Sequence, residues 1–222
     1  MFRKLLAVGG LLLLLGPVGC AGTVGTGHTT ATTAAAAIST ATSGTTTSTA
    51  TPTTGELEPI VVPTLPATIP GYTEVDPATG LHMTGTPQVI DLATYHLTVE
   101  GKVTRSLSLT YDDLRRLPKV TATPTLTCPG FFTDIATWSG VPLATILALA
   151  GPEPDATQIR MGSADGWAFQ INLKDALQPE NFLAYVWEGQ PLPVLHGFPL
   201  RAIFPNKPGS YWIKWLTTIQ VE

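Results

Sequence analysis

What the sequence lacks sets the first limits. Only two of its 222 residues are cysteine, Cys20 and Cys128, so no framework of disulfides can staple the chain. Charge is scarce, at 13% of residues against roughly 25% in an ordinary globular chain, and the scarcity is local. After Arg3 and Lys4 no charged residue appears until Glu56, and from Ala21 to Gly55 there is no aromatic residue. No apolar run reaches the roughly 20 residues of a membrane-spanning helix; the run from Leu5 to Leu15 falls well short. From Glu56 onward ten basic residues face sixteen acidic ones, a net charge of −6, which excludes the broad positive surface that binds nucleic-acid phosphates. A small basic pocket is still open.

The first quarter reads as targeting and tether. Arg3-Lys4, the apolar Leu5 to Leu15 and the small-residue end Gly16-Pro17-Val18-Gly19-Cys20-Ala21 predict a signal peptide over residues 1–20, hence export. A cysteine behind small residues resembles a bacterial lipobox. That implies lipidation of Cys20 and an extracytoplasmic domain held to the bacterial cell membrane by a lipid anchor. Pro17 stands where the lipobox has an aliphatic residue, and plain cleavage near Cys20 is the alternative. Residues 21–70 form a predicted disordered tether, Thr/Ala/Ser/Gly-rich and then Pro-rich, too poor in apolar surface to offset its ordering entropy. Residues 71–222 then make one domain, long enough for a core but not for two large domains.

Strand and helix patterns begin at about Asp91. Tyr95 to Glu100 alternates apolar and polar residues, Gly101-Lys102 supplies a turn, and Ser106 to Leu109 alternates again, which predicts a half-buried hairpin. Thr110-Tyr111-Asp112-Asp113 carries a capping-box start for a short helix ended by Pro118. Thr121 to Thr127 reads as a strand leading into Cys128. Pro142 and Gly151 bracket a helix over Leu143 to Ala150. Gln158 to Met161, Trp167 to Ile171, Ala184 to Trp187 and the alternating tail Tyr211 to Val221 return to β. The predicted class is α+β, a mixed β-sheet domain with short helices, and no internal repeat is visible.

Three features can carry chemistry. Cys128 is a lone thiol, because Cys20 is lipidated or removed, and it ends a strand at a Pro129-Gly130 loop. It can be a small buried core residue, a soft-metal ligand, or a nucleophile with His82, His96 or His196 as base. The second feature is the cluster His196, Arg201 and Lys214, set among Gly197, Gly209 and Ser210. Glycine loops let backbone amides approach an anion that Arg and Lys neutralise, while a solvated surface loop is the bland reading. The third is the turn Asp165-Gly166-Trp167.

Taken together, Trp138-Ser139-Gly140-Val141-Pro142-Leu143, Asp165-Gly166-Trp167, Leu183-Ala184-Tyr185, His196-Gly197-Phe198-Pro199-Leu200-Arg201 and Lys214-Trp215-Leu216 occur in the order and spacing of the molybdopterin-binding domain of the sulfite oxidase family. The resemblance covers about Tyr95 to Glu222. It implies a mixed α+β fold and an oxidoreductase performing two-electron oxo transfer at molybdenum. It makes Cys128 the molybdenum ligand and catalytic residue. His196, Arg201 and Lys214 would hold the pterin and its phosphate, Gly209 and Ser210 would form the close-approach loop, and Asp165-Gly166-Trp167 would be structural. The implied partners are a small-molecule substrate and a redox partner.

The departures from that pattern are specific. Where many relatives have an Arg-Asn-His segment on the pterin, this chain reads Leu81-His82-Met83, and only His82 offers a substitute. Where sulfite-oxidising members carry an Arg-rich substrate segment, Cys128-Pro129-Gly130-Phe131-Phe132 is apolar. The expected substrate is therefore neutral or partly apolar rather than sulfite, or else a partner docks on Phe131 and Phe132. The sequence stops soon after Lys214, so the dimerisation domain of the full-length enzymes is not expected here. The leader has Arg3-Lys4 rather than twin arginines, whereas molybdenum cofactor is inserted before export. The alternative is thus a cofactor-free extracytoplasmic binding or structural module that retains the fold.

Overall fold

The computed structural model describes residues 56–222; the leader, the Cys20 lipidation site and the tether up to residue 55 lie outside the described residues. Residues 56–70 have no regular secondary structure, as their prolines require. Ile60 nonetheless packs against the core. Packing begins well before Asp91. Thr73 to Met83 folds back on itself, with Val75 bridging His82 and the Asp76 amide donating to the Leu81 carbonyl at 2.8 Å, and it buries Asp76, Leu81 and Met83.

Strands β1 (Leu97–Gly101) and β2 (Leu107–Leu109) form the hairpin that the alternation predicts, with Leu97 opposite Leu109 and Val99 opposite Leu107. Helix α1 (Tyr111–Arg116) starts on a complete capping box, the Thr110 hydroxyl accepting the Asp113 amide and the Asp113 carboxylate accepting the Thr110 amide. Asp112 and Asp113 in its first turn and Arg115 and Arg116 in its last suit the helix dipole. The strand expected over Thr121 to Thr127 is two strands, β3 (Val120–Ala122) and β4 (Thr125–Cys128). Pro124, which has no amide to donate, lies at the break, and the chain leaves one sheet for another there. β4 turns back into β5 (Phe132–Ile135), and β6 (Trp138–Pro142) follows.

Helix α2 (Leu143–Ala150) has the bounds the sequence predicts. Leu143, Ile146, Leu147 and Ala150 make its buried stripe, and Gly151 ends it in the left-handed conformation at φ 67°. Beyond it come β7 (Gln158–Ser163), β8 (Ala168–Asn172), α3 (Leu173–Ala176), β9 (Phe182–Trp187), β10 (Gln190–Pro191), β11 (Arg201–Ile203) and β12 (Leu216–Val221). One sheet has the order β2-β1-β12-β7-β8, with β1 and β12 parallel and the other pairs antiparallel. The other runs β10-β9-β6-β3, with β11 also paired to β9; β4 and β5 stand apart as a two-stranded hairpin. The architecture is α+β, as expected. A continuous core joins Val99, Met161 and Ile219 of the first sheet to Val141 and Leu183 of the second and to Ile146 and Leu147 of α2. Burying each such side chain contributes about 1.5–3 kcal/mol. Among the described residues no helix is long and apolar enough to cross a membrane.

The β6–β9 pairing slips between Ser139 and Gly140. A Cβ on Gly140 would stand 1.9 Å from the Leu183 carbonyl oxygen and 2.6 Å from the Ala184 Cα, both backbone atoms of a central strand. Gly140→Ala is therefore expected to lower stability by about 2–4 kcal/mol, read as a shifted urea midpoint, and an unchanged midpoint would contradict this packing.

Candidate functional site

The β4–β5 hairpin, the segment from Tyr72 to Gly85 and the loop around Gly209 enclose a cavity of about 360 Å³. Its walls are largely aromatic, from Tyr72, Phe132, Trp167, Trp212 and Trp215. Cys128, the last residue of β4, is a half-buried free thiol on the wall. The turn that follows is closed by the Phe131 amide donating to the Cys128 carbonyl at 3.0 Å, with Gly130 at φ 80°. Cys128 is thus a cavity residue and not a core one.

Arg201 and Lys214 also line this cavity, and their burial decides its character. Arg201, 4% exposed, opens β11 opposite Ala184. Its guanidinium lies 4.8 Å from the Trp138 ring and 5.9 Å from the Trp212 ring. Nη1 donates to the His196 carbonyl at 3.2 Å, and the buried Nε has no partner among the described residues. Burial lowers its pKa to about 10, with the negative charge of Asp134 acting against that. Lys214, 6% exposed, donates to the carbonyls of Thr84 at 2.8 Å and Leu195 at 2.9 Å. Burial first, then Arg201, holds its pKa well below the usual lysine range. Among the described residues neither cation forms an ion pair with a carboxylate. An uncompensated buried cation costs several kcal/mol, and an anion in the cavity removes that cost.

His196 is brought to the cluster but not to the cavity surface. It is fully buried, and its Nε2 lies 2.9 Å from both Asp76 Oδ2 and Thr79 Oγ1, while Nδ1 has no partner. Burial, then Lys214 and Arg201, lowers its pKa to about 3 despite Asp76. The ring is therefore neutral, with its proton on Nε2. It ties Asp76 and the segment around it to the turn Val194–His196, which leads into β11 and Arg201. Gly209 opens a single 3-10 turn, Gly209–Tyr211, packed on β4, where a Cβ would stand 3.2 Å from Leu126 Cδ2. Ser210 is exposed on the cavity edge, and its carbonyl accepts the Trp167 indole N–H at 3.1 Å. The Asp165-Gly166-Trp167 turn is part of the wall too: Asp165 accepts the amides of Trp167 at 3.1 Å and Thr86 at 3.3 Å.

Sequence reasoning missed Asp76, Asp134, Trp138 and Trp212 at this site. Only Asp134 had a local signal, its alternation with Phe132 along one face of β5. His82, the one substitute expected for the Arg-Asn-His segment, does reach the cavity.

A family model described as oxidoreductase molybdopterin binding domain matches residues 82–222, more than half of the chain. This chain belongs to that family. Similar relatives include the putative protein-methionine-sulfoxide reductase subunit YedZ1 of Azospira oryzae, 33% identical over 60% of this chain and 50% of that protein. The uncharacterized oxidoreductase YuiH of Bacillus subtilis is 32% identical over 63% of this chain and 71% of its own length. Mitochondrial sulfite oxidase of Rattus norvegicus is 33% identical over 60% of this chain but only 30% of the enzyme. The chain thus spans half of the Azospira relative and less than a third of the rat one. Among solved structures, the sulfane dehydrogenase SoxCD of Paracoccus pantotrophus has TM-score 0.58 at 24% identity, covering 61% of this chain and 40% of that one, which shows the shared fold.

The neutral state of His196 is testable. Its pKa in the folded chain, about 3, lies below the ordinary 6.5, so between these values the unfolded chain binds the extra proton and stability falls with falling pH. Acidifying by one and a half units from 6.5 should cost the native chain roughly 2 kcal/mol more than it costs His196→Gln, measured by urea unfolding at each pH. Parallel slopes would show that the ring is not buried neutral.

Proposed function

We propose that the cavity holds a molybdenum pyranopterin cofactor and that the chain is an oxidoreductase catalysing two-electron oxygen-atom transfer. The observation that carries this reading is the pairing of a lone cavity thiol with two buried cations that lack carboxylate partners. Cys128 would give a thiolate to the metal. Among the described residues no three His, Cys, Asp or Glu side chains gather to hold a metal. A metal at Cys128 would therefore take its other ligands from a non-protein group, as a dithiolene provides.

Arg201 and Lys214 would hold the anionic parts of the cofactor, and the unpartnered Arg201 Nε is a donor without an acceptor until an anion arrives. Gly209 and Ser210 would let the chain approach the pterin closely. His196 stays neutral and acts as a tie, fixing the Arg201 guanidinium through its carbonyl. Trp212 and Trp215 keep water from the buried cations, which strengthens their hold on an anion. When bound, the cofactor supplies the redox and oxygen-transfer chemistry, and the protein supplies orientation and electrostatics.

The substrate side favours a neutral, partly apolar oxide. Leu126 and Phe132 flank Cys128 on the hairpin, and the mouth carries the exposed rings of Tyr72 and Trp167, with no arginine or lysine besides Arg201 and Lys214 lining the cavity. A relative named as a methionine-sulfoxide reductase subunit accords with that class. An external redox partner would supply or accept electrons. The leader supports export and lipid anchoring at Cys20. Its lack of twin arginines favours the second reading, a cofactor-free binding module.

The test is elemental analysis for molybdenum with fluorescence assay of released pterin, on protein from its native envelope, followed by turnover of methionine sulfoxide with reduced viologen. About one molybdenum per chain is expected, with most of it lost in Cys128→Ser while the variant stays folded. Absence of both metal and pterin would overturn the oxidoreductase reading and leave the binding module.

A further inference from the structure

His82, expected as the substitute for the Arg-Asn-His segment on the pterin, is paired on the cavity wall with Asp134. Asp134 clamps His82 twice: Oδ2 accepts the His82 backbone amide at 2.9 Å, and Oδ1 accepts Nδ1–H at 2.6 Å. The imidazole also lies flat on Phe132, with ring centroids 4.3 Å apart and planes within 7°. Phe132 is the cross-strand partner of Cys128, and Asp134 follows two residues later on the same face of β5. One short strand therefore places a stacking ring and a carboxylate behind a single imidazole, beside the thiol. A ring merely filling space would not need its tautomer, its backbone and its plane all fixed.

That arrangement decides which nitrogen is available. With Nδ1–H given to Asp134, Nε2 has no partner among the described residues, and it is not among the sealed atoms of the core. The His82 side chain is 24% exposed, whereas that of Asp134 is only 8% exposed, so the ring stands between the cavity and solvent with its carboxylate behind it. A histidine oriented through Nδ1 by a buried carboxylate, with Nε2 free, is built to take and give protons.

We propose that His82 is the acid–base residue of this site, moving a proton through Nε2, and that Asp134 is its positioning residue. The inference rests on the oxygen-transfer reading. Reduction of an oxide consumes two electrons from an external electron donor and two protons, giving the reduced substrate and water. His82, protonated on both nitrogens, delivers one of those protons. Its Nε2–H bond breaks, an O–H bond forms on the oxygen that leaves as water, and the ring remains neutral with Nδ1–H on Asp134. Solvent reprotonates Nε2 at the exposed edge and supplies the second proton. In oxidation the same nitrogen accepts a proton from the water that provides the oxygen atom.

The test uses the full chain loaded with molybdenum, with methionine sulfoxide and reduced viologen. His82→Gly removes the ring and keeps the backbone amide on Asp134, and His82→Gln fills the slot with a group that cannot relay a proton. Both are expected to retain molybdenum and to lose turnover about a hundredfold. Added imidazole, free to stack on Phe132, should restore His82→Gly severalfold in a saturable way and leave His82→Gln unmoved. Independently, ¹⁵N NMR of His82 should show the Nδ1–H tautomer in the native chain, lost in Asp134→Asn. Loaded variants that turn over normally, a loss that imidazole does not restore, or an Nε2–H tautomer in the native chain would each overturn this role alone. A native chain without molybdenum or without turnover would overturn the oxygen-transfer reading and this role together.

Discussion

The rest of the structure is arranged around two cations that are buried, among the described residues, with no carboxylate of their own. Arg201 and Lys214 are held by rings and carbonyl oxygens, namely Trp138, Trp212 and Trp215 and the carbonyls of His196, Leu195 and Thr84. Carbonyl dipoles and ring faces stabilise a positive charge without cancelling it. The cluster therefore keeps its net positive potential in a place screened from water, where it acts strongly on whatever enters. The core must be rigid enough to bear this. β11 carries Arg201 along the edge of β9, and the chain just before β12 carries Lys214, so both cations are fixed by central strands rather than by loops alone.

Much of this was legible in residues whose signals are local. The capping box at Thr110, the Pro142 to Gly151 frame of α2 and the alternation in β1 and β2 are written within a few positions of each other, and the structure has those elements where they are expected. β6 and β11 were not legible as strands. β6 contains Gly140 and Pro142, which read as turn residues, and β11 is buried on both faces, so it shows no alternation. β5 was hidden behind a Pro-Gly turn. For the site, Arg201, Lys214 and Cys128 stood out by residue type. Asp76 did not, and Asp134 showed only its alternation with Phe132 and not its contact, because their partners lie 120 and 52 positions away. Nothing local announces a contact of that range.

The hairpin of β4 and β5 shows how a shared fold is turned to a particular chemistry. Arg201 opens a strand of one sheet and Lys214 stands just before a strand of the other, while the thiol, the flat aromatic contact and the Asp134 carboxylate come from a two-stranded unit paired to neither sheet. Changes in Leu126 or Phe132, which line the cavity, can alter what it admits without touching the register of either sheet. Loss of a cation would instead empty the site of its field. Under the proposed function, affinity for an anionic group and selection among substrates would reside in physically separate parts.

A last consequence follows from the fold-back of Thr73 to Met83. Every strand of both sheets lies downstream of it, yet Asp76, His82 and Thr84 each hold a residue of the cavity or of the layer beneath it. A fragment begun at the first strand would look whole by circular dichroism, having lost none of its sheets. It would lack one wall, His196 would have no carboxylate, and Lys214 would have one carbonyl fewer. The boundary of the working unit is therefore drawn by the cavity and not by the first regular element, and shortening the chain between those two limits would keep every strand while opening the cavity.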